Sequence, residues 1–294
     1  MIRLFKSVAK IITKTVNEFI EDRCFQYSAA VSFYTLFSLA PIVIITVFAA
    51  GFFVGNEQVL SSLSGFLDES FGQEGSRAML MLVETINTNN KNVLYLAISV
   101  FFLIFSATTV FVQFKDSFNQ IFKVTVRPET GFLKVLLDRV ISFGMILLLG
   151  AVMVLSLVLD SLLTLLAERV NAIEIIYAGL GSNLLSLLII YFALLLMFAI
   201  LPDVKLKRRP LVVGSFVTTL MLVIGKFVVG LLIGNSALND LTGASSSVII
   251  LMLWVYYSSS FLFFGMELVK VLAERWEGEI RAGKYAKRIK MVDF

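Results

Sequence analysis

The chain has 294 residues, of which 58% are hydrophobic and 16% charged, against about 45–50% and about 25% in soluble domains. This apolar excess, gathered in long blocks, predicts an integral membrane protein, and the net charge of +4 is expected to serve membrane topology rather than nucleic-acid binding. With no histidine and a single cysteine, Cys24, the composition excludes an intrachain disulfide and argues against zinc or iron–sulfur centres, so no metal and no cofactor are expected.

In residues 1–22, Ile2, Phe5, Ala9, Ile12, Val16 and Phe19 recur at steps of three and four, with Arg3, Lys6, Lys10 and Lys14 between them. The spacing predicts an N-terminal amphipathic helix with a basic face. Two resting places fit it: the surface of an anionic inner leaflet, or the cytoplasmic end of a helix bundle. The first apolar block begins too late and runs too long for a cleaved signal core, so it is read as an uncleaved helix.

Six apolar blocks follow, at about 27–54, 93–112, 140–161, 180–201, 211–233 and 248–269. Each is long enough to cross about 30 Å of hydrocarbon at roughly 1.5 Å per residue. Strict alternation is absent, which argues against a β-barrel. The predicted fold class is all-α: one polytopic membrane domain over 1–294 with six transmembrane helices. The first outer loop, 57–90, adds two short amphipathic helices. One carries Val59, Leu63, Phe66 and Leu67, the other Met79, Leu82, Val83 and Ile86, with 72–75 between them. The second loop, 113–139, reads as a continuation of the second helix, ended by Pro128.

Lysine and arginine set the orientation. They crowd the N-terminal segment, the second loop (Lys115, Lys123, Arg127, Lys134, Arg139), the fourth loop (Lys205, Lys207, Arg208, Arg209) and the tail 270–294. The remaining loops hold only Arg77, Lys91 and Arg169. This predicts cytoplasmic N and C termini.

Polar residues within the spans are the candidate ligand-binding groups, because each is costly in lipid. Lys226 either snorkels to the outer interface or faces an ionic site inside the bundle. Glu267, at a different depth, cannot pair with it. Glu267 is either an interfacial partner of Arg139 or Lys115, or a carboxylate coupled to a proton or cation. Ser28, Ser32, Thr35 and Ser38 form one stripe on the first spanning helix, ahead of a kink expected at Pro41. Such a stripe serves helix packing or lines a binding site. Tyr256, Tyr257, Ser258, Ser259 and Ser260 form a hydroxyl run in the last span, below Trp254. Gly230 and Gly234 make a G-x-x-x-G suited to close helix contact.

Enzyme chemistry finds no footing. Asp160, Glu168, Asp203, Asp240 and Glu267 are assigned to opposite membrane edges, so no acid–base pair is expected. Phosphate-loop and nucleophile-elbow motifs are absent.

The stretch Ser28-Ala29-Ala30-Val31-Ser32-Phe33-Tyr34-Thr35-Leu36-Phe37-Ser38-Leu39-Ala40-Pro41 resembles the first-helix signature of the YihY/BrkB family of bacterial inner-membrane proteins. Phe118-Asn119-Gln120-Ile121-Phe122 resembles its motif after the second helix, though a basic third and a Trp fifth residue are usual there. Leu201-Pro202-Asp203 is similar to its fourth-helix exit. Gly225-Lys226, Leu253-Trp254-Val255-Tyr256 and Gly265-Met266-Glu267-Leu268 resemble its last two helices, with Met266 where Ala is usual. The likeness spans nearly the whole chain. It implies six helices in the cytoplasmic membrane and puts Lys226 and Glu267 on family motifs. It brings no settled activity: some members have been labelled a tRNA-processing ribonuclease and others serum-resistance factors. A chain without histidine and without a large cytoplasmic domain does not fit a nuclease.

The expected function is a transporter or flippase for a small solute or lipid, with membrane lipids and further copies of the chain as expected partners. The alternative is a structural or assembly protein of the envelope. An enclosed polar cavity would favour the first, and hydroxyls packed dry against neighbouring helices the second.

Overall fold

The computed structural model describes residues 2–38, 93–126, 134–149, 152, 182–234, 244–283 and 285–288. In chain order the elements are α1 (Ile2–Glu21), α2 (24–38), α3 (Val93–Ile121), β1 (Val124–Val126), α4 (134–149), α5 (Ser182–Ile200), β2 (Val204–Lys205), α6 (Arg208–Gly234), α7 (Ala244–Glu277), β3 (Arg281–Ala282) and β4 (Ala286–Arg288). The first outer loop, Pro41, Pro128, Asp160, Glu168, Asp240 and the last residues of the tail lie outside the described residues.

The chain divides into two compact units. One gathers 1–24, 114–223 and 261–294; the other gathers 25–113 and 224–260. The first unit has an aromatic centre. Phe118, fully buried, meets Phe198 and Phe263 edge-on at ring separations of 5.8 Å, and Phe114 lies 5.6 Å from Phe263. Edge-to-face packing of this kind adds to the burial of each ring.

Outside this core, apolar side chains also line the outer faces of the helices. Leu184, Leu188 and Phe192 on α5, and Phe216, Leu220 and Ile224 on α6, recur every four residues and are all exposed. Ser215, Thr218 and Thr219 of α6 are buried instead. Rows of exposed leucine and phenylalanine suit hydrocarbon, not water. Among the described residues two helical stretches are long and apolar enough to cross a membrane, Arg208–Gly225 and Leu251–Glu277, with Leu187–Ile200 as a shorter apolar helix. The other expected crossings fall wholly or partly outside the described side chains. At 29 residues α3 runs past its apolar block into the following loop, as expected, but it ends at Ile121, ahead of Pro128, in a turn where Lys123 takes a φ of 53° before β1.

The described chain is mostly helical, as expected, with a small addition. Four short strands form two antiparallel pairs. Val124, Thr125 and Val126 of β1 face Arg288, Lys287 and Ala286 of β4; Val204 and Lys205 of β2 face Ala282 and Arg281 of β3. They tie the segment after α7 to the ends of α3 and α5. Runs of two or three residues are too short to read by periodicity. Gly278, with φ of 79°, ends α7 by donating its N–H to the Glu274 carbonyl.

Helices α6 and α7 meet through small residues. Gly214 lies against Val269, four residues on from Gly265, and Gly265 lies against Thr218, four on from Gly214. A methyl group at Gly265 would sit 2.9 Å from Thr218 Cβ, with no flexible chain to yield. Gly265→Ala is therefore expected to cost about 1–3 kcal/mol by overpacking. Thermal unfolding in detergent reads the loss, and Thr218→Gly in the same chain should recover part of it.

Candidate functional site

Two buried charge clusters occupy the first unit. The first is centred on Asp203, in the turn after α5. Its N–H donates to Asn119 Oδ1 at 2.8 Å, and its carbonyl accepts from Gly283 N–H at 2.7 Å. A Cβ at Gly283 would lie 2.8 Å from that carbonyl oxygen, so glycine is required for the approach. The carboxylate accepts from Asn119 Nδ2 at 3.1 Å and from Lys134 Nζ at 3.0 Å, and pairs with Lys115 at 3.1 Å. Asp138 closes the square, 2.8 Å from Lys115 and 2.9 Å from Lys134, its i,i+4 neighbour on α4. Both lysines are almost wholly buried. Charges balance here: two lysines face two aspartates.

This balance fixes the pH response. Burial alone would raise the Asp203 carboxyl, but Lys115 and Lys134 outweigh it and hold its pKa below the usual 3.8. Burial likewise pulls Lys134 down, but its bonds to Asp138 and Asp203 outweigh that and raise its pKa above the usual 10.5. A depressed carboxylate stabilises the fold fully above its unfolded pKa and loses that contribution as pH falls through the folded one. A raised lysine contributes fully below its unfolded pKa and loses the contribution as pH rises through the folded one. Melting temperature should therefore fall below about pH 3.8 and above about pH 10.5 on account of this cluster. Asp203→Asn should flatten the acid limb.

The second cluster joins α1, α2, α3 and α7. Lys270 Nζ meets Asp22 at 2.7 Å, Glu18 at 2.8 Å and Glu267 at 3.2 Å. An ammonium has three donors, and three carboxylates take them. Glu267 is fully buried, and Cys24 Sγ approaches its Oε1 at 3.8 Å. Burial, followed by the Glu267 and Asp22 charges, pushes the Cys24 pKa up, so it faces Glu267 as a thiol. Lys123 adds a partly exposed cation 3.5 Å from Asp22. Glu18 on α1 and Asp22 just past its end, four residues apart, present both carboxylates to Lys270.

The ligand atoms of Glu18, Asp22 and Glu267 lie within 4.8 Å of one another, close enough to share a cation. Lys270 supplies that positive charge. Three carboxylates against two lysines leave one negative charge in excess among these five groups. Glu267 thus pairs with Lys270, not with Arg139 or Lys115. Lys115 is held by Asp138 and Asp203.

The second unit holds the hydroxyl stripe. Ser32 donates to the Met252 carbonyl at 3.1 Å, and Ser260 Oγ lies 2.9 Å from Ser28 Oγ and 2.8 Å from the Tyr256 carbonyl. Thr35 and Ser38 donate back into their own helix, to Val31 and Thr35. The Tyr256 ring stacks on Phe25 at 6.5 Å, and Tyr257 is exposed. Ser28, Ser32 and Ser260 thus serve contact between α2 and α7. Lys226 is on α6, Gly230 and Gly234 toward its end, with their side-chain surroundings outside the described residues; Pro41 lies beyond them too.

Glu18, Asp22, Asn119, Lys134, Asp138 and Lys270 do not stand out as site residues in the sequence. Three signals exist: the i,i+4 pairs Glu18/Asp22 and Lys134/Asp138, and the i,i+3 pair Glu267/Lys270. In a charge count along the chain the lysines read only as topology-setting cations.

A profile for a family described as virulence factor BrkB matches residues 15–290. The chain is 25% identical over 249 residues to a UPF0761 membrane protein of Stenotrophomonas maltophilia strain R551-3, covering 82% of this chain and 55% of the relative. It is 24% identical over 273 residues to a UPF0761 membrane protein of Alcanivorax borkumensis, covering 91% and 61%. A UPF0761 membrane protein of Saccharophagus degradans is 26% identical over 261 residues, covering 88% and 58%. The chain thus spans somewhat over half the length of these relatives. No solved structure matches. The chain belongs to the BrkB family of membrane proteins, as its motifs indicate.

Proposed function

We propose that this BrkB-family membrane protein is a transporter or flippase that moves a small solute or lipid across the bacterial cytoplasmic membrane, with both chain ends in the cytoplasm and no enzymatic step. One observation carries the reading: the fully buried Glu267, in a cluster with one carboxylate more than its lysines balance. Buried ion pairs contribute little net stability compared with apolar packing of the same volume. Ionisable groups buried in membrane proteins concentrate on coupling and transport paths. A site able to take up a proton suits coupling to the proton gradient.

The test uses the full chain in vesicles. One set carries a fluorescent phospholipid and a quencher, and another an internal pH dye. Transport predicts lipid exchange or proton flux above protein-free vesicles. Rates equal to those of protein-free vesicles for both probes and for a panel of small solutes would remove the reading.

A second reading, a structural or assembly protein of the envelope, has one observation in its favour. Ser32 bonds from α2 to the Met252 carbonyl of α7, and Ser28 and Ser260 bond each other across the same two helices. It predicts stable co-purification of envelope proteins and no flux.

A further inference from the structure

A groove of about 710 Å³ opens between the start of α6 and the end of α7, lined by Arg208, Arg209, Val212, Val213, Arg275 and Trp276. We propose that this groove seats the headgroup phosphate of an anionic phospholipid, with the lipid's glycerol and upper acyl chain against Val212, Val213 and Trp276.

Charge points directly to an anion. Three arginines converge on one groove, and among the described residues no carboxylate lines it. Among the described residues Arg208 and Arg209 make no ion pair, although ion pairs abound elsewhere in the same unit. Arg275 donates to Ser7 Oγ at 2.7 Å, which fixes its guanidinium without neutralising it. Guanidinium forks match phosphate oxygens bidentately.

Placement points independently to a lipid. Arg208 begins one of the two stretches able to cross a membrane, and Trp276 lies at the end of the other. The groove therefore falls where hydrocarbon meets headgroups. Trp276, Val212 and Val213 are all exposed there, in the layer that tryptophan favours. A soluble anion would use the arginines but leave these apolar side chains uncovered. A phospholipid meets both. A second groove that shares Arg275 is lined by Lys10, Ile11, Lys14, Val271 and Glu274, where Glu274 pairs with Lys14 at 2.7 Å.

The test takes the full chain in neutral detergent and titrates it with phosphatidylglycerol, phosphatidylcholine or inorganic phosphate. Native mass spectrometry reads bound lipid, and thermal unfolding reads stabilisation. Phosphatidylglycerol should bind and stabilise, phosphatidylcholine much less, and phosphate should not substitute for lipid. Each arginine near an anionic headgroup is worth about fivefold, so Arg208→Ala, Arg209→Ala and Arg275→Ala together should weaken binding about a hundredfold. Lys205→Ala, Lys207→Ala and Lys287→Ala remove equal charge outside the groove and should leave binding near wild type. Should the triple arginine variant not fold, Val213→Glu places a carboxylate in the groove at an exposed position and should lower binding alone. Equal losses in the groove and control variants, or unchanged binding in Val213→Glu, would overturn the proposal. So would phosphate acting as well as phosphatidylglycerol, which would make this a soluble-anion site.

Discussion

Lys270→Ala is expected to cost about 3–5 kcal/mol and to leave little folded protein at growth temperature. The magnitude follows from what stays behind. Glu18, Asp22 and Glu267 keep their ligand atoms within 4.8 Å of one another, and among the described ion pairs the partly exposed Lys123 is what remains to offset them. Removing one partner of a buried pair costs far more than the intact pair contributes, because the other charge is stranded. Glu267→Gln added to Lys270→Ala should recover a substantial part, since it removes the charge with least access to water. Melting temperature in detergent, with the fraction eluting as a single species, checks both variants.

Asp203→Ala is expected to lose a comparable amount, about 3–5 kcal/mol, by stranding Lys115 and Lys134 with Asp138 as their remaining counter-charge. The side chain also holds Asn119 Nδ2. The damage should reach beyond the cluster, because the Asp203 backbone joins the Asn119 side chain on α3 to the Gly283 turn after β3. Asp203→Asn keeps a polar acceptor of the same size and should lose less. Hydrogen exchange in the 281–288 segment tests the spread: both variants should exchange faster there, alanine more than asparagine.

Much of this architecture can be read from residue pattern because lipid imposes a coarse signal. A row such as Leu184, Leu188 and Phe192 exposed on one face is the direct expression of an apolar block. The helical continuation past residue 112 is legible too, but its end at Ile121 is not, since no proline or glycine marks it. Three of the motif stretches meet in the two clusters: Asn119 and Asp203 bond each other, and Glu267 anchors the second cluster. What pattern does not reveal is which charge finds which. Lys115 and Lys270 look like ordinary topology-setting cations in a one-dimensional count. Their acids sit as far away as Asp203 and Glu18, and only the folded chain brings them within 3.1 Å. The short strands are hidden for a similar reason, since β2 pairs across more than seventy positions with nothing periodic to announce it.

The proposed coupling role of Glu267 and a purely structural one are separated by one substitution. Glu267→Gln removes its charge while Lys270 keeps Glu18 and Asp22 as partners. In vesicles carrying the pH dye and the fluorescent lipid, the variant should match wild type in melting temperature and incorporation while losing its pH-gradient-dependent flux. A well-folded Glu267→Gln variant with wild-type flux and unchanged pH dependence would contradict the assignment.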